Sequence, residues 1–201
     1  MKWLVEEQTI EMDGGQLSLE EQWAQVESQV GQSGKCIRSI VLEGEEVHSD
    51  FISYLIQCGE NVQSVTVKTC SVEQMSGDLA ASVQLYIEQA IPQVEELANR
   101  FYSSAGSEEW SQFAAFAEAL EWLETASVSM QNHCPTKKLQ KSFEQYQKKS
   151  GVILKQLGEA LNQQDLSLMA DLLKFEIIPV LEQLKNAAGE LAKKYEGAYV
   201  S

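Results

Sequence analysis

Two periods of hydrophobic and polar positions follow one another along this chain, and the change comes near residue 72. Before it, apolar residues fall in short clusters rich in aromatic and β-branched side chains. These are Trp3, Val5, Thr9 and Ile10, then Ile40, Val41 and Leu42, then Val65 and Val67. Clusters of that length and content predict strands. Ser18 followed by Glu21 predicts a capping box, opening a helix through Trp23, Val26 and Val30 that "GQSG" at 31–34 ends. Ser49 or Asp50 is placed to cap a short helix, "DFISYLIQCG", that stops at Gly59, and "DGG" at 13–15 is turn chemistry. The predicted order over residues 1–70 is β-α-β-α-β.

From about residue 72 onward the period is near 3.6. A first helix carries Leu79, Val83, Tyr86, Ala90, Val94, Leu97 and Phe101, and "SSAGS" at 103–107 breaks it. A second, from Glu108 to Met130, shows Trp110, Phe113, Phe116, Leu120 and Leu123. "NHCP" at 132–135 separates it from a third, with the proline expected in that helix's first turn. The third carries Leu139, Phe143, Tyr146, Ile153, Leu157 and Leu161. Asp165 then caps a fourth, with Leu166, Met169, Leu173, Ile177, Val180, Leu184, Leu191 and Tyr195. Four long helices with short connections predict antiparallel neighbours in an up-down bundle over residues 71–201. Adjacent apolar pairs such as Leu172–Leu173 widen the stripe beyond a two-helix seam, which is also compatible with a homodimer through one helix face. The fold class expected is α+β.

One phrase occurs twice. Residues 78–99 align without a gap on 165–186, and eight positions are identical, among them Asp78/Asp165, Ile91/Ile178, Pro92/Pro179 and Asn99/Asn186. Each proline removes a backbone donor and meets the carbonyl four residues back, at Glu88 or Phe175. Each stripe also takes an extra step of four near its proline. The expectation is a first and a fourth helix kinked at matching heights, either simply closing the bundle or lining a pocket between helices.

Charge changes the picture more than composition does. The 201 residues are 44% hydrophobic, enough for a real core, and the net charge is −15. Residues 1–72 carry 12 acids against 4 bases, and residues 73–134 carry 10 acids against Arg100 alone. Residues 135–201 carry 8 acids and 10 lysines. A chain so acidic over two-thirds of its length repels phosphate backbones, which argues against nucleic-acid binding. The lysines are expected to answer the chain's own acidic segment. Glu6 and Glu7 interrupt any leader-like apolar stretch, and no apolar run reaches membrane-spanning length, so a cytoplasmic protein is expected. Cys36, Cys58, Cys70 and Cys134 are far apart with no CxxC pair, which reads as reduced thiols and no zinc site.

Candidate chemistry is sparse. No glycine-rich phosphate loop joins a strand to a helix, and "EGEE" at 43–46 is acidic where a phosphate site needs amides. The paired Glu-x-x-His motifs of a di-iron bundle are absent, since His133 follows no glutamate at that spacing and His48, three after Glu45, lies outside the predicted bundle. The most reactive-looking pair is His133 and Cys134, since a thiol at a helix N-terminus can have a lowered pKa. The plain alternative is a loop of no chemical role. Trp110, Phe113, Phe116 and Trp122 have the spacing of core side chains, with an aromatic cage as the alternative. Glu118, Glu121 and Glu124 read as a solvated face. No catalytic residue, metal or cofactor is predicted. The function expected is a non-catalytic protein-interaction module, an adaptor or accessory factor, binding an amphipathic partner segment. The alternatives are an acidic export or assembly chaperone for one client, and an enzyme with a site at the domain junction.

Overall fold

The computed structural model describes residues 2–6, 8–11, 17–59, 62–103 and 105–196. The chain divides into two compact units, Met1–Met75 and Ser76–Ser201.

The first unit holds β1 (Lys2–Val5), β2 (Gln8–Glu11), α1 (Leu19–Gln32), β3 (Lys35–Leu42), β4 (Glu45–Val47), α2 (Phe51–Cys58) and β5 (Ser64–Ser71). The sheet is mixed, in the order β2-β1-β5-β3-β4, with β1 parallel to β5 and the other pairs antiparallel. Two strands go beyond the predicted β-α-β-α-β. The first expected strand is a hairpin, because Glu6 takes a positive φ of 56° and turns the chain back. Glu43 and Gly44, with φ of 49° and 92°, make a second tight turn, so the acidic "EGEE" stretch enters β4. The "DGG" turn lies outside the described residues. Ser18 and Glu21 do form the capping box of α1. Asp50 precedes α2 in a left-handed conformation and makes no capping bond with its side chain. One sheet face packs on α1 and α2 through Trp3, Trp23, Val26, Ile40, Leu55, Val65 and Val67. There Trp3 donates its indole N–H to Gln22 at 3.1 Å, so the buried polar group has its partner.

The second unit is the four-helix bundle: α3 (Val72–Phe101), α4 (Ser107–Asn132), α5 (Lys137–Gln163), and a fourth helix of α6 (Leu166–Asp171), a π-helical turn (Leu172–Ile177) and α7 (Ile178–Tyr195). Its buried positions keep a strict seven-residue repeat in three helices. In α3 they include Ser76, Ala80, Val83, Ile87, Ala90, Val94, Leu97 and Phe101. In α4 they include Phe113, Phe116, Leu120, Leu123, Ser127 and Met130, and in α5 they are Leu139, Phe143, Tyr146, Ser150, Ile153, Leu157 and Ala160. Alternating steps of three and four are the pattern of knobs-into-holes packing. Some expected core positions move: Ala80 rather than Leu79 is buried in α3. Ile87 rather than Tyr86 is buried in α3, which removes the extra step of four there, and Leu161 is 39% exposed.

The extra step is real in the fourth helix, where Met169, Leu173 and Ile177 are all buried. It coincides with the π-helical turn, in which the Ile178 N–H reaches back five residues to the Leu173 carbonyl. A π turn takes up one additional residue, so the seven-residue phase is kept across the insertion. Pro179 follows in the opening turn of α7, just past the π turn that already interrupts the regular i→i−4 ladder. Pro92 has no such provision, and α3 runs through it as one helix. The two prolines are therefore accommodated differently, although both face solvent.

Contacts between α3 and the fourth helix fix an antiparallel register. A Cβ on Gly77 would come within 2.9 Å of Tyr195 Cβ, and one on Gly189 within 2.9 Å of Gln84 Oε1. At the other end Lys174 donates to Asn99 at 2.9 Å and Tyr102 to Asp171. By that register Pro92 lies level with Leu181, within a turn of Pro179. Other elements of the repeated phrase diverge. Asp165 caps α6 by accepting from Leu168 N–H at 2.9 Å, but Asp78 lies inside α3. That helix starts earlier because Ser71 and Gln74 exchange hydrogen bonds of 3.0 and 3.1 Å. Pro135 likewise stands before the Thr136 cap of α5 rather than in its first turn.

Candidate functional site

Aromatic side chains bridge helices α3 and α4 at two levels, with open space between them. Near their connecting loop, Phe101, Trp110 and Phe113 form a three-ring cluster with centroids 5.4–6.1 Å apart. Further along, Tyr86 meets Trp122 edge to face at 5.5 Å. Between these brackets lies an open groove of about 390 Å³, lined on α3 by Ala90, Gln93, Val94, Glu96 and Leu97 and on α4 by Gln112, Ala115 and Phe116. Ala90 and Ala115 are the reason for the gap, because neither side chain is long enough to bridge the two helices. The groove has an apolar floor, amide-bearing rims and a volume within the range of about 300–1,000 Å³ typical of ligand pockets.

Its electrostatics are one-sided. Arg100, the single base of residues 73–134, is clasped by Glu96 at 2.7 Å, Glu109 at 3.2 Å and Glu108 at 3.7 Å. The Gly106 N–H and Arg100 both donate to Glu109, and these bonds hold its carboxyl below the usual range. Lysines of the last third are expected to answer this acidity. Those with defined partners reach Glu190, Gln183 and Asn99, none of which is an acid of residues 73–134. Tyr86, pushed upward by burial, stays a neutral phenol. The lining residues contain no nucleophile with a base beside it, so the arrangement suits binding rather than bond-making.

A half-buried polar seam joins α4 and α5. Gln147 donates to Ser127 at 3.2 Å and to Gln131 at 3.0 Å, Gln131 donates to Glu144 at 3.3 Å, and Ser150 donates to Glu124. Tyr146 is 1% exposed, and its phenol is raised by burial first and by the Glu124 charge second. Beside it the core leaves only about 10 Å³. On the open sheet face of the first unit, Lys68 donates to Glu46 at 2.7 Å, while Glu6 accepts from Lys35 and Thr69. Charges there are largely answered by one another.

Of the candidate site residues singled out in the sequence, Phe116 lines the groove and the others fall outside it or at its edge. His133 ends α4, with Nδ1 2.9 Å from the Ser129 carbonyl, and its own carbonyl accepts from Tyr195 at 2.8 Å. Cys134 packs half-buried against the bundle core, and burial pushes its thiol up to about 11, opposite to an activated cysteine. Of the aromatic set, Phe113 and Phe116 are core, Trp110 is half-buried against them, and Trp122 is 41% exposed at the groove's end. Pro92 and Pro179 face solvent, and neither is among the residues that line the groove. His48 follows β4 in the other unit. Among the described residues no group of three or more His, Cys, Asp and Glu side chains is placed to hold a metal. No helix among them is long and apolar enough to cross a membrane.

Residues 78–187 match the model of a family described as a domain of unknown function, DUF8042. The chain belongs to that family. The DUF8042 region begins at the first copy of the repeated phrase and ends one residue past the second. It thus takes in both prolines, the π-helical turn and every residue of the groove. No curated protein and no solved structure matches the chain. Sequence reading passed over the groove because two alanines on facing helices carry no local signature. The one usable signal was small residues inside otherwise bulky stripes.

Proposed function

We propose that this member of the DUF8042 family is a non-catalytic protein-interaction module, an adaptor or accessory factor, whose α3–α4 groove takes a basic amphipathic helix from a partner protein. The observation that carries the reading is an apolar-floored groove between aromatic brackets, set in a segment whose only base is already clasped by three carboxylates. From Tyr86 to Leu97 the groove runs about 16 Å at 1.5 Å per residue, about three helical turns. A partner helix of that length presents anchors at i, i+3 or i+4, and i+7, and these fill the space that Ala90 and Ala115 leave. Lysine and arginine beside the anchors meet Glu96, and Glu118 one turn from both Ala115 and Trp122. Such charges chiefly set the partner's approach and its salt dependence, while the apolar anchors supply the affinity.

The test is selection from a displayed library of random helical peptides on the full chain, repeated on Ala115→Trp. The variant changes no charge and fills the groove from an exposed position. Enriched peptides are expected to combine apolar residues at helical spacing with lysine or arginine, and to bind the variant at least tenfold more weakly. Enriched peptides that are acidic, or that bind Ala115→Trp as well as the unaltered chain, overturn the proposal.

A further inference from the structure

The sheet brings together two cysteines that the sequence keeps far apart. Cys36 on β3 and Cys70 on β5 are direct partners in the antiparallel ladder. Directly opposed residues of such a ladder point to the same face, with Cα atoms about 4.5 or about 5.5 Å apart depending on the type of pair. Both separations fall inside the roughly 4.4–6.8 Å span that a disulfide accepts. Val65 and Val67 on β5 turn toward the α1–α2 core, so Cys70, out of phase with them, belongs to the other face. The ladder slips by one residue between Ile37 and Ser39, which sharpens the local twist next to the pair. Cys70 is 4% exposed and Cys36 half-buried, and both are thiols here.

We propose that Cys36 and Cys70 are a modification site, forming a reversible cross-strand disulfide by exchange with a small-molecule disulfide. The more exposed Cys36 loses its proton and attacks one sulfur of the oxidant, and the first thiolate leaves. Cys70, deprotonated in turn, attacks the Cys36 sulfur of the mixed disulfide and expels the second thiolate. The two protons released from the cysteines convert both leaving groups to thiols. The protein pair is oxidised by two electrons, and the small disulfide is reduced to two thiols. The cross-link ties β3 to β5 across the centre of the sheet.

The experiment equilibrates the full chain with glutathione disulfide and glutathione at several ratios, in native buffer and again in denaturing urea. Remaining thiols are alkylated and the peptides mapped by mass. A peptide pair linked through Cys36 and Cys70 is expected natively at a disulfide-to-thiol ratio at least tenfold lower than in urea. Exposed Cys58 is expected to carry only a glutathione adduct, and Cys36→Ser to abolish the linked pair while leaving that adduct. The proposal is overturned if Cys36 and Cys70 stay alkylatable where Cys58 is modified, if Cys36 stops at a glutathione adduct, or if linkage forms no more readily in the folded chain.

Discussion

Replacing each proline in turn separates what the fold does with them. In α3, Pro92 stands in a continuous helix, facing solvent, with no π turn to receive it. A proline at such a position is about 3 kcal/mol less favourable than alanine, through the missing bond to the Glu88 carbonyl and the ring's contact with it. Alanine also frees the unfolded chain, which returns about 0.4–1 kcal/mol. Pro92→Ala is therefore expected to stabilise the bundle by about 2 kcal/mol, with no packing lost. Pro179 stands just past the π turn, which already interrupts the regular i→i−4 ladder at that point. Only the unfolded-chain effect remains, so Pro179→Ala is expected to destabilise by about 0.5 kcal/mol. Urea titration followed by helical circular dichroism reads both, because the bundle supplies most of the helix. With a slope of about 1–3 kcal/mol per molar urea, the Pro92→Ala midpoint rises by about 1 M at an unchanged slope, while the Pro179→Ala midpoint stays or falls slightly. Equal shifts for the two variants, or a Pro92→Ala chain no more stable than its parent, refute the reasoning.

Two further outcomes follow from the same contacts. Gly77→Ala places a Cβ 2.9 Å from the Tyr195 Cβ, next to backbone, so about 1–3 kcal/mol of strain exceeds the roughly 1 kcal/mol gained in helix propensity and the thermal midpoint falls. Gly189→Ala meets only the end of the flexible Gln84 side chain and is expected to be neutral or stabilising, a contrast that calorimetry on the pair checks directly. Glu109, whose folded-state carboxyl is held low chiefly by the Gly106 N–H, contributes stability that is full above the ordinary glutamate pKa of about 4.3 and lost as pH falls through the depressed value. Glu109→Gln is thus expected to be less stable near neutrality, with the gap in urea midpoint closing in acid. A gap that stays constant down to about pH 2 contradicts that linkage.

Much of the architecture was legible because local rules and long-range packing agree. The Ser18–Glu21 box, the Asp165 cap and the two periods need only a few neighbouring residues, so a single sequence carries them. Periodicity was less reliable at the edges of a stripe. Tyr86 looks like a core residue by size, but Ile87 takes the buried position, and the phenol stays half-buried at the edge of the stripe. The missing strands β2 and β4 depended on Glu6 and Glu43 entering the left-handed region, which glutamate rarely does, so the first turn carried no signal and the second only Gly44.

By itself, then, the sequence determined where helix gives way to strand, how the charge is divided and which chemistries have no motif. Each is a property of residues near one another along the chain. Tertiary structure alone decided the rest. The groove exists because two helices bring Ala90 and Ala115 into one lining, and Cys36 meets Cys70 because β5 pairs with β3. The repeated proline phrase shows the division most clearly. The same residues run on as α-helix in α3 yet follow a π turn in the fourth helix, because only there does the core's seven-residue phase carry one residue too many.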